Sequence, residues 1–425
     1  MHRTGFIAAT LVASLLAAAP LLTGMAGAQI FEPGGPDAAA YGQAEGYPAG
    51  TWDNWYEKPH MVWGYSHYDS MVKTHTLPPA ARPWAFKRAA AEPAIHYVPD
   101  ITHVKEGPVL GLADYMARVP ATGLLILKDD TILVERYQYG RTDKDRFVSQ
   151  SMAKTLVSLL LGAAIADGRV KGIADAAETY VPTLKGSPYG QTPLKALLQM
   201  SSGVAFEDAA APGDLFHDIH SGVDEGTALA KYTQRTAPAG SHFQYSCGDS
   251  ETLATVVRRA TGQSLSDYLA AKVWQPMGAE AEAKWEVDAS GQEIGCSGFN
   301  ATLRDYGRLG RLLAHDGAWE GKQLLPKDWL LAATTLDPAD AQVAAGTASR
   351  LYGYGYQVWI LPPKVSPDGR RLFALQGAGG QFIFVDPKTK LVMVQTSVKA
   401  DGVPLTSPHS ETLALWLAVI REWDK

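Results

Sequence analysis

Two stretches carry a serine and a lysine three residues apart: Ser70-Met-Val-Lys73 and Ser151-Met-Ala-Lys154. A serine hydroxyl is protonated at neutral pH and becomes a nucleophile only with a base within hydrogen-bond reach. On a helix, residues three apart share a face with Cβ atoms about 5 to 6 Å apart, so the lysine is placed to be that base. Burial of the lysine disfavours its ammonium and is expected to lower its pKa, leaving a fraction free to accept a proton. At the first turn, the helix N-terminus also favours negative charge developing on oxygen. The chemistry of such a pair is acyl transfer. Only the second copy has the right setting. Ser151 to Ala166 is apolar nearly all round and ends at Asp167-Gly168, which predicts a helix buried on most sides. Ser70 is followed by Thr-His-Thr-Leu-Pro-Pro, which permits at most a short turn.

A bare S-x-x-K recurs by chance, and a tyrosine such as Tyr245 alone is more often a core aromatic. Their company and order carry the reading. Phe243-Gln-Tyr245-Ser-Cys247 is similar to a Y-x-N or Y-S-x element whose tyrosine faces the nucleophile, and Leu197-Leu-Gln-Met-Ser-Ser-Gly203 resembles an LLxMTSG stretch. Gly295-Cys-Ser-Gly-Phe-Asn-Ala-Thr-Leu-Arg-Asp-Tyr-Gly-Arg-Leu-Gly310 resembles GGxxATxRDxARFG. Over residues 110 to 400 the chain thus resembles the superfamily of serine β-lactamases, D-alanyl-D-alanine peptidases and related esterases. Its late Gln376-Gly377-Ala378-Gly379-Gly-Gln381 is similar to the branch of 6-aminohexanoate-dimer hydrolases and carboxylesterases.

The resemblance implies that Ser151 attacks a carbonyl while Lys154 and Tyr245 share the proton. It implies an oxyanion hole from the backbone N–H groups of Ser151 and Ala378. It also puts Gln376, Gly377, Gly379, Gln381 and Cys247 against the substrate, the glycines letting the backbone come close. Two departures stand out. Cys247 replaces the asparagine common in β-lactamases, and no cation stands at Leu375 or Gln376 to meet a substrate carboxylate. Ester hydrolysis is therefore expected to exceed lactam hydrolysis, with Leu375→Lys raising the latter. The implied activity is hydrolysis of a carboxylic ester or small linear amide. The alternatives are a β-lactamase or D,D-peptidase, and, in another class, a penicillin-binding sensor that acylates without turnover. No G-x-S-x-G elbow is present.

The elements that position these residues are expected to form an α/β (α+β) fold. Short β-type runs at 123–128 and 131–137, separated by Asp129-Asp130, read as a hairpin. Helices are expected at about 192–200, 249–261, 264–275, 301–315, 326–334 and 409–423, and late strands at about 354–360, 371–376, 381–386 and 390–396. Early and late strands imply one antiparallel sheet of about five strands assembled from both ends of the chain and flanked by helices. A helical subdomain at about 168–285 is inserted in a hydrolase domain spanning 116–425. Residues 29–115, rich in Trp, Tyr and Pro without periodicity, read as an arm anchored by aromatics.

The first 28 residues read as a secretory leader: His2 and Arg3, an apolar stretch from Phe6 to Leu22, then Ala26-Gly27-Ala28 as the cleavage site. This implies a periplasmic or secreted protein, with no stable membrane insertion after cleavage. The net charge of −6, spread without charge runs, suggests no nucleic-acid partner and no anionic membrane surface. Two cysteines, Cys247 and Cys296, are too few for a disulfide framework or a four-thiolate zinc site. The resemblance brings both to the cleft, where export leaves one bridge open. His217 and His220 form an H-x-x-H in a Gly- and Asp-rich stretch and read as surface residues. Neither metal nor cofactor is implied.

Overall fold

The computed structural model describes residues 29–206, 214–399, 404 and 406–424. The expected leader, residues 1–28, lies outside the described residues. The arm carries β1 (Ile30–Phe31), α1 (Lys58–Ser66), β2 (Thr74–Leu77), β3 (Lys87–Arg88), β4 (His96–Tyr97) and β5 (Leu110–Gly111). Then follow α2 (Leu112–Arg118), β6 (Ala121–Lys128), β7 (Thr131–Tyr137), β8 (Arg146–Val148) and α3 (Met152–Ala166). The middle is helical, with α4 (Leu194–Leu198), α5 (Leu215–His220), α6 (Glu225–Ala230), α7 (Cys247–Thr261) and α8 (Leu265–Leu269). β9 (Ala283–Glu286), β10 (Phe299–Thr302), α9 (Leu303–Ala314), the hairpin β11 (Ala318–Trp319) and β12 (Lys322–Gln323), and α10 (Lys327–Ala333) come next. The chain closes with β13 (Gly353–Tyr354), β14 (Trp359–Leu361), β15 (Leu372–Gly377), β16 (Gln381–Asp386), β17 (Leu391–Ser397) and α11 (Glu411–Trp423).

Asp129 takes a φ of 54°, which a short polar side chain tolerates, so β6 and β7 meet with Lys128 paired to Thr131. β17 pairs antiparallel on the other side of β6, giving the order β1-β7-β6-β17-β16-β15-β14-β13. With β3, which also pairs β7, this sheet has nine strands among the described residues, not about five. The excess has two sources. β1 and β3 belong to the arm and run parallel to β7, and the single strand expected at 354–360 is two short ones, β13 and β14, paired antiparallel.

Both faces of the sheet are covered. Leu125 and Leu127 of β6 join the core with α3 and α9, while Leu124 and Ile126 join the core with α11. That is why β6, β15, β16 and β17 read as continuous apolar runs and do not alternate. A second sheet, β2-β9-β10-β8, has two-to-four-residue pairings that only the tertiary structure brings together. The arm is no loose appendage: its Tyr41, Tyr47, Met61, Val62, Tyr65 and Tyr68 share a core with Tyr139, Val148 and Val398 of the body. Ser70 ends a single helical turn, its hydroxyl donating to the His67 carbonyl at 2.7 Å. Among the described residues no helix is long and apolar enough to cross a membrane.

Candidate active site

β8 ends one residue before Ser149, whose N–H donates to the Phe299 carbonyl of β10 at 2.6 Å. The chain then turns through Gln150 at a φ of 46°, a left-handed conformation unusual for glutamine, and enters α3. Holding a non-glycine there costs on the order of 1 to 3 kcal/mol and persists only when its surroundings enforce it. The turn places Ser151 as the N-cap of α3 with its side chain uncommitted to capping. Neither the Ser151 nor the Ala378 N–H donates to a backbone carbonyl among the described residues.

Lys154, 1% exposed, sits one turn on. Its ammonium donates to Ser151 Oγ at 3.2 Å, to Cys247 Sγ at 3.2 Å and to the Cys296 carbonyl at 3.0 Å. It also lies 5.1 Å from the centre of the Tyr245 ring. Tyr245 hydrogen-bonds with Ser151 and is fixed by stacking on Trp359, with the edge of Tyr354 against it. The structure thus brings Ser151, Lys154 and Tyr245 together. Burial does pull the Lys154 ammonium down, but Cys247, Cys296, Tyr245 and Tyr354 outweigh it and hold the lysine well above its ordinary value. The expectation of a lysine lowered by burial is corrected: its neighbours are all acidic groups. Burial raises Tyr245 as well, with Lys154 and Ser151 pulling it back.

Cys247 is the first residue of α7, a helix started by Ser246, whose side chain accepts from the Asp249 N–H, and ended by Gly262 at a φ of 70°. Cys247 lines the same cavity as Ser151. Cys296 lines it too, and the two thiols, not bridged by a disulfide, are joined by a hydrogen bond. The loop bearing Cys296 is held by a residue not singled out in the sequence. Glu251, one turn along α7 from Cys247, accepts from the Gly295 N–H at 2.7 Å and the Cys296 N–H at 2.9 Å. Burial pushes its carboxyl up, and those two bonds oppose the rise. A buried acid four residues after a site residue on one helix face was the available signal.

Other implied contacts are corrected. Strand alternation turns Gln376 to the α11 side of the sheet with Ala374, away from Ser151, so it does not touch the cavity. Gln381, 1% exposed, is committed to backbone: it donates to the Ser397 and Ala378 carbonyls and accepts from the Ser397 N–H. It holds the 378–380 turn and does not face substrate. Gly377 and Gly379 do permit close approach, but by the protein itself. A Cβ on Gly377 would lie 2.2 Å from the Ser149 carbonyl oxygen, and one on Gly379 would lie 2.6 Å from the Tyr65 ring. Leu375 points into the α3 core, so a lysine there would be buried among apolar side chains and is expected to destabilise the fold, not to bind lactams.

The cavity beside Ser151 encloses about 540 Å³. Its far wall was not foreseen: Trp52 and Tyr68 from the arm, Phe216 and His220 from α5, and Glu286 from β9. Tyr68 donates to Glu286 at 2.9 Å, and His220 Nε2 lies 3.4 Å from the same carboxylate. His220 is exposed, as expected, and also lines the pocket from a helix. Its pKa is raised, chiefly by the hydrogen bond to Glu286.

Residues 112–409 match the family model described as Beta-lactamase. The 6-aminohexanoate-dimer hydrolase of Paenarthrobacter ureafaciens is 27% identical over 370 residues, covering 84% of this chain and 89% of that protein. Among solved structures, one assigned as a 6-aminohexanoate-dimer hydrolase from Bacillus anthracis superposes with a TM-score of 0.73 at 22% identity, over 87% of this chain and 96% of that one. EstCE1, a hydrolase with promiscuous acyltransferase activity, gives 0.57 at 17% identity, over 72% and 95%.

Proposed function

The chain belongs to the β-lactamase family and is a serine hydrolase of that superfamily, and from that premise we propose that it cleaves carboxylic esters or small linear amides through an acyl-Ser151 intermediate. The observation that carries this reading is the convergence of the buried Lys154 ammonium and the Tyr245 hydroxyl on the hydroxyl of Ser151, which lines the cavity. Because Lys154 keeps its proton, the base is the minor fraction of Tyr245 ionised to phenolate, which burial disfavours and the neighbouring ammonium favours; that phenolate takes the Ser151 proton as Oγ bonds to the carbonyl carbon. The N–H groups of Ser151 and Ala378 receive the oxyanion. Tyr245 then returns the proton to the leaving alcohol or amine, and water repeats the sequence to release the acid.

Esters and amides are preferred over β-lactams because neither the last residues of β15, Leu375-Gln376-Gly377, nor the turn Ala378-Gly379-Gly380 carries a cationic side chain to meet a carboxylate. Arg370 and Arg371 stand at the strand's opposite end and pair with Asp386 and Asp316. Dimer hydrolases and an acyltransferase-competent hydrolase among the similar proteins support the same class. Export through the 1–28 leader belongs to the same proposal, and N-terminal sequencing of the mature protein is expected to start near Gln29.

A fluorophosphonate probe is expected to label the wild type and Ser70→Ala but not Ser151→Ala. Labelling retained by Ser151→Ala would overturn the assignment. Steady release of nitrophenol from a short-chain ester, with kcat/KM well above that for nitrocefin, is the expected preference. A single stoichiometric burst would instead mark a sensor, and efficient nitrocefin turnover a lactamase.

A further inference from the structure

We propose that Cys247 and Cys296 form an oxidisable thiol pair in the wall of the active-site cavity, and that closing it to a disulfide switches the Ser151 chemistry off. The second half rests on the hydrolase reading above. The first half rests on geometry alone.

Neither sulfur is in a disulfide, and a hydrogen bond already joins them. Both line the cavity, but their exposure differs: Cys247 is half-buried, where a small oxidant can reach it, whereas Cys296 is only 1% exposed. An accessible thiol backed by a shielded one is the arrangement of an attacking and a resolving cysteine. Lys154 touches both residues, at Cys247 Sγ and at the Cys296 carbonyl, so any displacement of either is felt by the group that serves Ser151. Glu251 pins the Cys296 backbone through two N–H bonds, so Cys247 must supply the movement.

With hydrogen peroxide as oxidant the step balances. The Cys247 sulfur attacks one peroxide oxygen; an S–O bond forms, the O–O bond breaks and the hydroxide released takes the thiol proton to leave as water. The Cys296 sulfur then attacks the Cys247 sulfenic sulfur. An S–S bond forms, the S–O bond breaks, and the departing hydroxide takes the second thiol proton. Two thiols lose two electrons in total, and one peroxide becomes two waters. An S–S bond is about 2.05 Å long, far shorter than a thiol hydrogen bond, so closure shifts Cys247 Sγ from the position at which it accepts from Lys154. Displacement of a catalytic group by about 1 Å costs on the order of 100-fold in rate.

The test uses the purified full-length chain, treated with hydrogen peroxide and assayed with a nitrophenyl ester before treatment, after it, and after added dithiothreitol. Thiols are titrated after denaturation, and the peptides are mapped by mass. The expected result is joint loss of both thiols, a Cys247–Cys296 cross-linked peptide lighter by two hydrogens, activity down on the order of 100-fold, and recovery with dithiothreitol. Cys296→Ala and Cys296→Ser, each normalised to its own untreated activity, are expected to give no cross-link and no inactivation that tracks a disulfide. Both thiols surviving an excess of peroxide would overturn the pair, a result the wild type yields even if neither variant folds. A cross-link without loss of activity would overturn the switch. An untreated chain that hydrolyses no ester would remove the hydrolase reading and the switch with it, while the titration still decides the pair.

Discussion

Lys154 ties three separate segments to one nitrogen: its own helix through Ser151, α7 through Cys247, and the loop before β10 through Cys296. It and Tyr245 meet at the same hydroxyl, so they are expected to act as one unit. Lys154→Ala and Tyr245→Phe should each lower kcat/KM by about 10²- to 10⁴-fold, the span of general acid–base contributions. The double variant should lose little more than either alone, as groups acting together do. Losses that multiply would mean that the two work independently. The proton route adds a pH signature. Because burial holds Tyr245 above the ordinary tyrosine value of 10.0, kcat/KM is expected to keep rising through the mildly alkaline range, and Tyr245→Phe to flatten that rise. At the far wall, Glu286 holds His220 above the ordinary 6.5, so the folded state binds that proton more tightly than the unfolded state does. The stability this brings is fully present below pH 6.5 and is lost as pH rises through the folded value. The Tm gap between wild type and His220→Gln should therefore be widest in acid and close in alkali. A gap that widens with pH would dissolve the pairing.

Among the elements, α7 carries the most consequence for its length, supplying Cys247 to the cavity and Glu251 to the loop behind it. Glu251→Gln keeps the shape but leaves one acceptor oxygen where two N–H groups converge. An unpaired buried donor costs about 1 to 3 kcal/mol, so urea unfolding should show a loss in that range, with kcat falling as the Cys296 carbonyl slips from Lys154. Unchanged unfolding would show the loop to be held by other means. Why α7 was legible is also clear: Ser246 and Gly262 mark its ends, and an apolar face recurs between them. α3, α9, α11 and β16 were legible for the same local reasons. The second sheet was not, because β2 meets β9 over four residues more than two hundred positions away, and no local pattern encodes such a meeting. The site divides along the same line. Ser151 with Lys154 is a helix-spacing signal and Tyr245 a short motif, whereas Tyr68 reaches Glu286 across 218 positions. Gln376 was misread because a motif gives order along a strand, while the face is set by which side α3 covers.

For the whole molecule, the defining fact is that the central sheet is assembled from the two ends of the body. Thr122 of β6 and Thr396 of β17 share a 2.9 Å hydrogen bond although 274 positions separate them. At about 5 to 20 residues per second, a ribosome needs roughly 15 to 55 s to get from one to the other. Throughout that interval the β6–β7 hairpin has an unpaired edge and apolar side chains on both faces: Leu124 and Ile126 on one, Leu125 and Leu127 on the other. Folding is thus a late event, gated by the arrival of the last strand and not by the first helix to form. Nascent chains stalled before Leu391 are expected to be digested by a brief protease pulse and to pellet when released. Chains that have cleared Trp423 should resist the pulse. A resistant core already present in the shorter chains would show that the helical middle folds without the sheet. If it does not, the interval between the two ends is when the chain depends on whatever shields an open strand edge, and slowing translation between residues 137 and 391 should lower the yield of folded protein even though no residue has been changed.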